Sequence, residues 1–281
     1  MYKGVIKIKK VALISTGGTI ASKVDPITGK LMAGEQTGEE LLSKCNLANI
    51  EDNISITVRS LLQIPSNCMS FEKNMILYNV LEQMAGEGFE GFVVTHGTDT
   101  LEESSYFISL LWDYSIPIVF TGSQFSPTEN NTDAFHNISN ALLVASREES
   151  GKMGVLVSFN DKIFSPQYVT KLHASNIDGF GSPRTGPLGI VDYGKVKYFQ
   201  KSINKENYLI KQKKLPKVEI VKQYIDMDET IIDYYVSRGV DGLIIEGYGR
   251  GHANPMVVER LKHAIEQGVV VVVTTTCMDG E

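Results

Sequence analysis

Short apolar segments recur along the chain, and each ends in a cluster of small or polar residues. Helical patterns separate them, and the five segments in the first part of the chain lie at 11–14, 54–61, 92–94, 117–120 and 154–159. Strands that alternate with helices favour a parallel sheet with helices on its faces. The sequence therefore predicts an α/β protein built on a doubly wound (Rossmann- or flavodoxin-like) parallel sheet.

The organisation of the chain changes after residue 194. Residues 195–217 are rich in lysine and poor in small apolar residues, which predicts an exposed linker. A second α/β unit starts near residue 218. We therefore expect a larger N-terminal catalytic domain (1–194) and a smaller, doubly wound C-terminal domain (218–281). The last apolar segment runs into an exit loop with no helix behind it, so the C-terminal domain is expected to be truncated.

Charge and cysteine content restrict the partners. With 27 basic and 33 acidic side chains, the net charge of −6 does not favour nucleic acid or an anionic membrane. The longest aliphatic run, at 269–273, is too short to cross a bilayer. Three widely separated cysteines indicate neither a metal site nor a disulfide framework, and the N-terminus lacks a signal peptide. We expect a cytoplasmic protein with a small-molecule partner and no cofactor.

Two of the strand exits carry paired threonines. The first apolar segment ends in Thr-Gly-Gly-Thr at 16–19, and the third ends in Thr-His-Gly-Thr-Asp-Thr at 95–100. Ligands of open α/β sheets bind at the carboxyl ends of the strands, where helix N-termini present free N–H groups. The spacing of the first loop matches neither a dinucleotide fingerprint nor a P-loop. Both loops are therefore candidates for one binding crevice.

The second loop also has a purely structural interpretation. Thr98 or Asp99 could be the N-cap of the following helix, with Glu102 or Glu103 completing a capping box. The local pattern does not decide between cap and site. The existence of a second loop of the same kind favours the site.

A third exit loop, at 64–70, and the loop-rich segment that contains Lys171 can reach the same crevice. Thr19, Thr98, Asp99 and Lys171 would supply two hydroxyls, a carboxylate and an ammonium group. A threonine hydroxyl beside a lysine and a carboxylate can act as a nucleophile, and loop N–H groups can stabilise an oxyanion. This combination points to acyl transfer from a small polar substrate.

Two segments resemble the signatures of a known family. Residues 16–21 (Thr-Gly-Gly-Thr-Ile-Ala) and 94–103 are similar to the two signature segments of the bacterial-type L-asparaginases, closer to their cytoplasmic branch. The resemblance continues through shorter segments at 119–124, 133–137, 169–171, 186–189 and 277–280. It spans essentially the whole chain.

The resemblance implies an activity and roles for four residues. Members hydrolyse the side-chain amide of L-asparagine without metal or organic cofactor, and they assemble as dimers or dimers of dimers. By this resemblance Thr19 is the primary nucleophile. Thr98, Asp99 and Lys171 form a second catalytic group, in which Lys171 tunes Thr98 and the attacking water.

The resemblance also implies how the substrate is held. Asp99 and Asn67 would bind its α-ammonium group, and Ser66 with backbone N–H groups would bind its α-carboxylate. Asn67 stands where many members have glutamine, so its side chain has a shorter reach.

Two alternatives remain open, and a departure from the family supports the first. The family places a tyrosine in a lid behind the first signature, yet residues 23–37, which predict a mobile lid around Pro26, Gly29 and Gly34, contain none. A catalytically weakened amino-acid-binding or regulatory protein on the same scaffold is therefore one alternative. The other is an enzyme like the ammonia-generating chain of the archaeal-type amidotransferases.

Overall fold

The five apolar segments in the first part of the chain form strands of one large sheet in the computed structural model, which describes residues 8–25, 27–28, 31–32, 35–50, 53–201, 208 and 215–280. Other described strands extend this sheet or form smaller ones. The strands are β1 (Lys9–Gly17), β2 (Lys23–Val24), β3 (Leu31–Met32), β4 (Ile54–Ile64), β5 (Gly91–Thr95), β6 (Ile118–Thr121), β7 (Val155–Phe159), β8 (Lys162–Phe164), β9 (Thr170–Lys171), β10 (Phe180–Gly181), β11 (Gly189–Asp192), β12 (Lys195–Tyr198), β13 (Val218–Lys222), β14 (Gly242–Gly247) and β15 (Val270–Thr275). The α-helices are α1 (Gly38–Leu42), α2 (Phe71–Gly86), α3 (Leu101–Leu111), α4 (Ala134–Ser146), α5 (Glu148–Gly151), α6 (Thr230–Ser237) and α7 (Pro255–Glu266).

The large sheet has a parallel centre in the order β4-β1-β5-β6-β7. Numbered along the chain, this is the order 2-1-3-4-5 of flavodoxin-like folds. The direction of strand addition reverses between β1 and β5, and this reversal opens a crevice at the carboxyl ends of those two strands. The predicted α/β fold class is confirmed.

Helices cover both faces of the large sheet because successive strand residues alternate between the two faces. On one face, Ile14 and Val94 pack against α2 and α3 in a fully apolar cluster. On the other, Leu13 and Val93 pack against α4. All four side chains are fully buried, which fixes the register of the two strands that carry the threonine loops.

Three short strands extend the sheet beyond β7 in the antiparallel sense, in the order β8, β11 and β12. Strand β12 lies in the segment expected to be an exposed linker. Its lysines are exposed while Val196 and Tyr198 are half-buried, so a strand period underlies the lysine-rich composition. The linker expected at 195–217 can therefore begin only after this strand.

The chain divides into two compact units, 1–209 and 210–281. In the second unit β13, β14 and β15 form a parallel sheet in sequence order. Ile232 of α6 and Val257 of α7 share one apolar cluster with strand residues Val221, Leu243 and Ile245. The smaller parallel sheet expected for the C-terminal domain is present.

Some predicted features lie outside the described residues. They are Pro26, Gly29 and Gly34 of the expected lid, residues 202–207 and 209–214 of the expected linker, and the terminal Glu281. In the described part of the lid, β2 and β3 pair as an antiparallel hairpin.

Candidate active site

The two threonine loops leave adjacent strands at the point where the sheet reverses direction. Strands β1 and β5 pair directly, with Ser15 opposite Thr95, and their exit loops begin at Gly18 and His96. Ligand crevices of open parallel sheets form at this position. The fold therefore brings both loops to one crevice, as the sequence predicts.

Close glycine contacts join three exit loops. A Cβ atom on Gly18 would lie 2.3 Å from the Cα of Gly97, and one on Gly97 would lie 2.6 Å from Ser66 Oγ. Gly18 also has a φ of +81°, a conformation that side chains rarely adopt. Thr19 and Thr98 directly follow these two glycines. Both threonines therefore flank the contact where the loops meet.

Hydrogen bonds between the loops hold their backbones in place. The Thr16 hydroxyl donates to the carbonyl of Thr95 at 2.9 Å, and both residues are buried. The backbone N–H of Gly18 donates to the carbonyl of Ile64 at 3.0 Å. Satisfied buried polar groups of this kind make the loop backbones at the base of the site rigid.

Ser66 connects the third loop to the second. Its hydroxyl oxygen accepts from the backbone N–H of Asp99 at 3.2 Å, and its carbonyl accepts from the Thr100 hydroxyl at 2.8 Å. Ser66 is buried, whereas its neighbour Asn67 is exposed in the short turn Ser66–Cys68. In the described part of the chain the Asn67 side chain makes no hydrogen bond to Asp99.

Lys171 joins the predicted second catalytic group. Its Nζ donates to Thr98 Oγ1 at 2.8 Å and to Asp99 Oδ1 at 3.0 Å. Thr98 is 6% exposed, whereas the side chain of Asp99 is 63% exposed. An ion pair this open contributes about 1 kcal/mol or less to stability. The position of the ion pair matters more than its stability, because it places a cation beside the Thr98 hydroxyl.

The helix-cap interpretation of this loop is wrong. Helix α3 begins at Leu101, and its N-cap is Thr100, whose side chain makes no capping bond. Thr98 and Asp99 precede the helix, and their side chains bond to Lys171. Glu102 does not complete a capping box, because its Oε2 accepts from the backbone N–H of Lys171 at 2.6 Å. Sequence reasoning missed this contact, since nothing local distinguishes Glu102 from Glu103.

Thr19 starts a single helical turn, Thr19–Ala21, directly behind the glycine contact. Its side chain is half-buried. Across the described ranges its hydroxyl has no hydrogen-bond partner, unlike that of Thr98. The structure thus joins Thr98, Asp99, Lys171 and Ser66 by hydrogen bonds, whereas the side chains of Thr19 and Asn67 make no hydrogen bond to them among the described residues.

His96 lies beneath the second loop and is 1% exposed. Its Nδ1 is 2.8 Å from the carbonyl of Gly97, so this nitrogen must carry the proton. Its Nε2 is buried and has no partner among the described residues. Burial lowers the pKa of His96 from 6.5 to about 4, although the bond to Gly97 opposes the shift. His96 is therefore neutral in the folded protein near pH 7.

Acid is expected to destabilise the fold through His96. Below pH 6.5 the unfolded chain binds a proton that the folded chain takes up only near pH 4, so stability falls as the pH drops through that window. From this residue alone, the free energy of unfolding should be about 2 kcal/mol lower at pH 5 than at pH 7. Urea unfolding at both pH values measures the difference. In His96→Asn, which keeps a donor for Gly97 and does not titrate, the loss should shrink by about that amount. An equal loss in both proteins contradicts the assignment.

The described residues contain no group of three or more His, Cys, Asp or Glu side chains that could hold a metal ion. None of the described helices has both the length and the apolar character needed to cross a membrane. The side chains that do converge are two hydroxyls, an ammonium group and a carboxylate. Together with loop N–H groups, they can activate a hydroxyl or water and stabilise an oxyanion.

Comparison with known proteins identifies related families over both units of the chain. The family described as "Asparaginase, N-terminal" matches residues 10–204, and "Glutaminase/Asparaginase C-terminal domain" matches residues 217–281. An L-asparaginase of Bacillus licheniformis is 42% identical over 97% of this chain and 84% of its own length. A glutamyl-tRNA(Gln) amidotransferase chain of Methanosarcina acetivorans is 33% identical over 98% of this chain and 66% of its own length.

A solved structure shares the fold. The crystal structure of a probable cytoplasmic L-asparaginase from Campylobacter jejuni superimposes with a TM-score of 0.86 and 30% identity, covering 96% of this chain and 83% of that one. The two family matches together cover most of the described residues, including all four converging side chains. The chain belongs to the asparaginase family.

Proposed function

We propose that this protein is an amidohydrolase that cleaves the side-chain amide of L-asparagine to L-aspartate and ammonia. The observation that carries the proposal is the position of the Lys171 ammonium group, within 3.0 Å of both the Thr98 hydroxyl and the Asp99 carboxylate. A regulatory protein that had lost catalysis would have no need to keep a buried hydroxyl hydrogen-bonded to a lysine. Family membership supports the same activity.

In the first step, Thr19 Oγ adds to the side-chain carbonyl carbon of asparagine. The Thr19 hydroxyl is half-buried and has no hydrogen-bond partner among the described residues, so it is free to turn toward the substrate and its proton must pass to the departing amide nitrogen. Negative charge develops on the carbonyl oxygen, and N–H groups of the exit loops stabilise it. The C–N bond then breaks, the proton lost by Thr19 leaves with ammonia, and an aspartyl ester on Thr19 remains.

In the second step, water adds to the ester carbon. The Thr98 hydroxyl, paired with the Lys171 ammonium group, orients this water and relays its proton. The ester C–O bond breaks, Thr19 recovers a proton, and L-aspartate is released. The overall change consumes one water and produces one ammonia, with no redox step and no cofactor.

The α-substituents of the substrate would be held by the two loops around Ser66 and Asp99. One carboxylate oxygen of Asp99 accepts from Lys171, and the side chain is otherwise well exposed. It can therefore also accept from an α-ammonium group. Ser66 accepts from Asp99 N–H, which leaves its own hydroxyl proton free to donate to an α-carboxylate. Asn67 is exposed beside Ser66 and would supply a further acceptor for the α-ammonium group.

The purified full chain is expected to release ammonia from L-asparagine without any partner protein or added metal. Turnover of L-glutamine should be slower, because one additional methylene shifts the amide relative to Thr19. Discrimination of a methylene is worth about 1–3 kcal/mol, or roughly tenfold to two-hundredfold in kcat/KM. Ammonia release from L-asparagine, L-glutamine and D-asparagine measures this directly. No turnover of any of the three, with amino-acid binding retained, would support the weakened-scaffold alternative instead.

A second candidate is an enzyme that frees ammonia as one component of an amidotransferase. Its support is the 33% identity to the Methanosarcina amidotransferase chain, against 42% for the Bacillus L-asparaginase. This chain also spans 66% of the Methanosarcina protein, compared with 84% of the L-asparaginase. Independent turnover of L-asparagine distinguishes the two candidates.

We also propose that the protein is cytoplasmic and forms a homo-oligomer, either a dimer or a dimer of dimers. The family resemblance supports the oligomer, and the likeness to the Campylobacter protein, which is named a cytoplasmic L-asparaginase, supports the location. Sedimentation of the purified chain measures the oligomeric state.

A further inference from the structure

Whether the Lys171 side chain reaches Thr98 depends on where the backbone of Lys171 lies. It sits in β9, a strand of two residues that pairs with β10 by only two residue pairs. The segments on either side of β9 are loops. A ladder this short fixes a backbone weakly. Beside it, the backbone N–H of Leu172 donates to the carbonyl of Gly179 at 2.7 Å, and the buried Val169 packs in an apolar cluster, but neither contact is made by Lys171 itself.

Glu102 makes a contact with Lys171 itself. Its Oε2 accepts from the backbone N–H of Lys171 at 2.6 Å, a charge-assisted hydrogen bond between residues 69 positions apart. Glu102 is half-buried and lies in the first turn of α3, directly behind Thr98 and Asp99. One helix start therefore presents two of the catalytic side chains and also holds the backbone of the third.

The helix itself does not explain this choice of residue. A carboxylate in the first turn stabilises a helix through the macrodipole, and both Glu102 and Glu103 can do so. Glu103 is exposed, whereas Glu102 bonds to Lys171. The two glutamates thus lie in the same helix turn, but only Glu102 accepts from the Lys171 backbone. Glu103 is therefore a matched control.

We propose that Glu102 is a positioning residue for Lys171: its carboxylate oxygen accepts the Lys171 backbone N–H and so keeps Nζ within reach of Thr98 and Asp99. The inference deepens the proposed function and rests on it. Glu102 touches no reacting atom. Its effect on rate comes from geometry, since a displacement of about 1 Å in a catalytic group can cost as much as about a hundredfold in rate.

Two substitutions at Glu102 separate the accepted hydrogen bond from the charge. In Glu102→Ala, kcat for L-asparagine should fall by about tenfold to a hundredfold, with a smaller change in KM. Glu102→Gln keeps an amide oxygen that can accept the same bond, so it should stay within about threefold of wild type, as should Glu103→Ala. If the alanine variant does not fold, Glu102→Met provides a side chain of similar length without the acceptor.

Hydrogen–deuterium exchange tests the same contact independently of turnover. The Lys171 amide should exchange much faster in Glu102→Ala than in wild type, and at the wild-type rate in Glu102→Gln and Glu103→Ala. Unchanged exchange in both non-accepting variants overturns the proposal whatever the activity. A glutamine variant as slow in turnover as the alanine variant also overturns it, because charge would then matter and the accepted bond would not. An inactive wild-type enzyme bears on the proposed function alone, since the exchange experiment still decides the contact.

Discussion

Thr98→Ala is expected to lower kcat/KM for L-asparagine by more than about a hundredfold. The Thr98 hydroxyl is buried and accepts a 2.8 Å hydrogen bond from Lys171, so its removal takes away both the oxygen that we propose orients water and the partner of the ammonium group. The loss should fall mainly on kcat, because Asp99 and Ser66, which we propose hold the substrate, are not removed. Steady-state ammonia release over a range of asparagine concentrations separates kcat from KM.

A double substitution tests whether Thr98 and Lys171 act together. Lys171→Met alone should also reduce kcat strongly, and Thr98→Ala with Lys171→Met should be little worse than either single variant. Groups that act as one catalytic unit show this non-additivity. Thr98→Ser keeps the hydroxyl and is the control for loss of the oxygen as opposed to loss of the methyl group. Full activity in Lys171→Met removes the proton relay from the mechanism.

The strands and helices that build the crevice were predictable because their signals are local. The buried runs that became β1 and β5 are apolar on both faces, as strands of a parallel sheet must be. Their exit loops could be assigned to one crevice because parallel strands share a carboxyl edge. The short strands β8, β11 and β12 were not predicted, because each contains only two apolar residues, flanked or interrupted by lysine, glycine or aspartate. Lys195 and Lys197 also gave β12 the composition of a linker.

The grouping of three candidate side chains was predictable from the sequence, but their individual contacts were not. Thr98, Asp99 and Lys171 were identified from the loop pattern and the family resemblance, and the structure brings them within hydrogen-bonding distance. The sequence left open whether Thr98 and Asp99 capped the helix, because an N-cap and a ligand site use the same residue types. The structure decides between them, because the N-cap is Thr100 and the side chain of Asp99 accepts from Lys171, 72 residues further along the chain. Glu102 was missed for the same reason, since its partner is distant in sequence.

Thr19→Ala is expected to lower kcat by more than about a hundredfold as well, for a different reason. Thr19 would form the ester with the substrate, so the variant should release no ammonia through a covalent intermediate. L-Asparagine should still bind with about its normal affinity, because in our proposal the loops at Ser66 and Asp99 hold the α-substituents. Titration calorimetry measures the affinity, and rapid acid quenching followed by mass spectrometry detects the aspartyl ester in wild type.

The result for Thr19→Ala bears on the absence of a lid tyrosine. Thr19 and Thr98 follow two glycines that are in contact, yet only Thr98 has a described hydrogen-bond partner. If Thr19 is the nucleophile, the alanine variant must lose both the ester and the rate, and Thr19→Ser should restore both in part. If Thr19→Ala stays near the wild-type rate while Thr98→Ala is inactive, the two-step assignment is wrong. The group of Thr98, Asp99 and Lys171 would then direct water at the amide in one step, and a lid tyrosine would have no hydroxyl to activate.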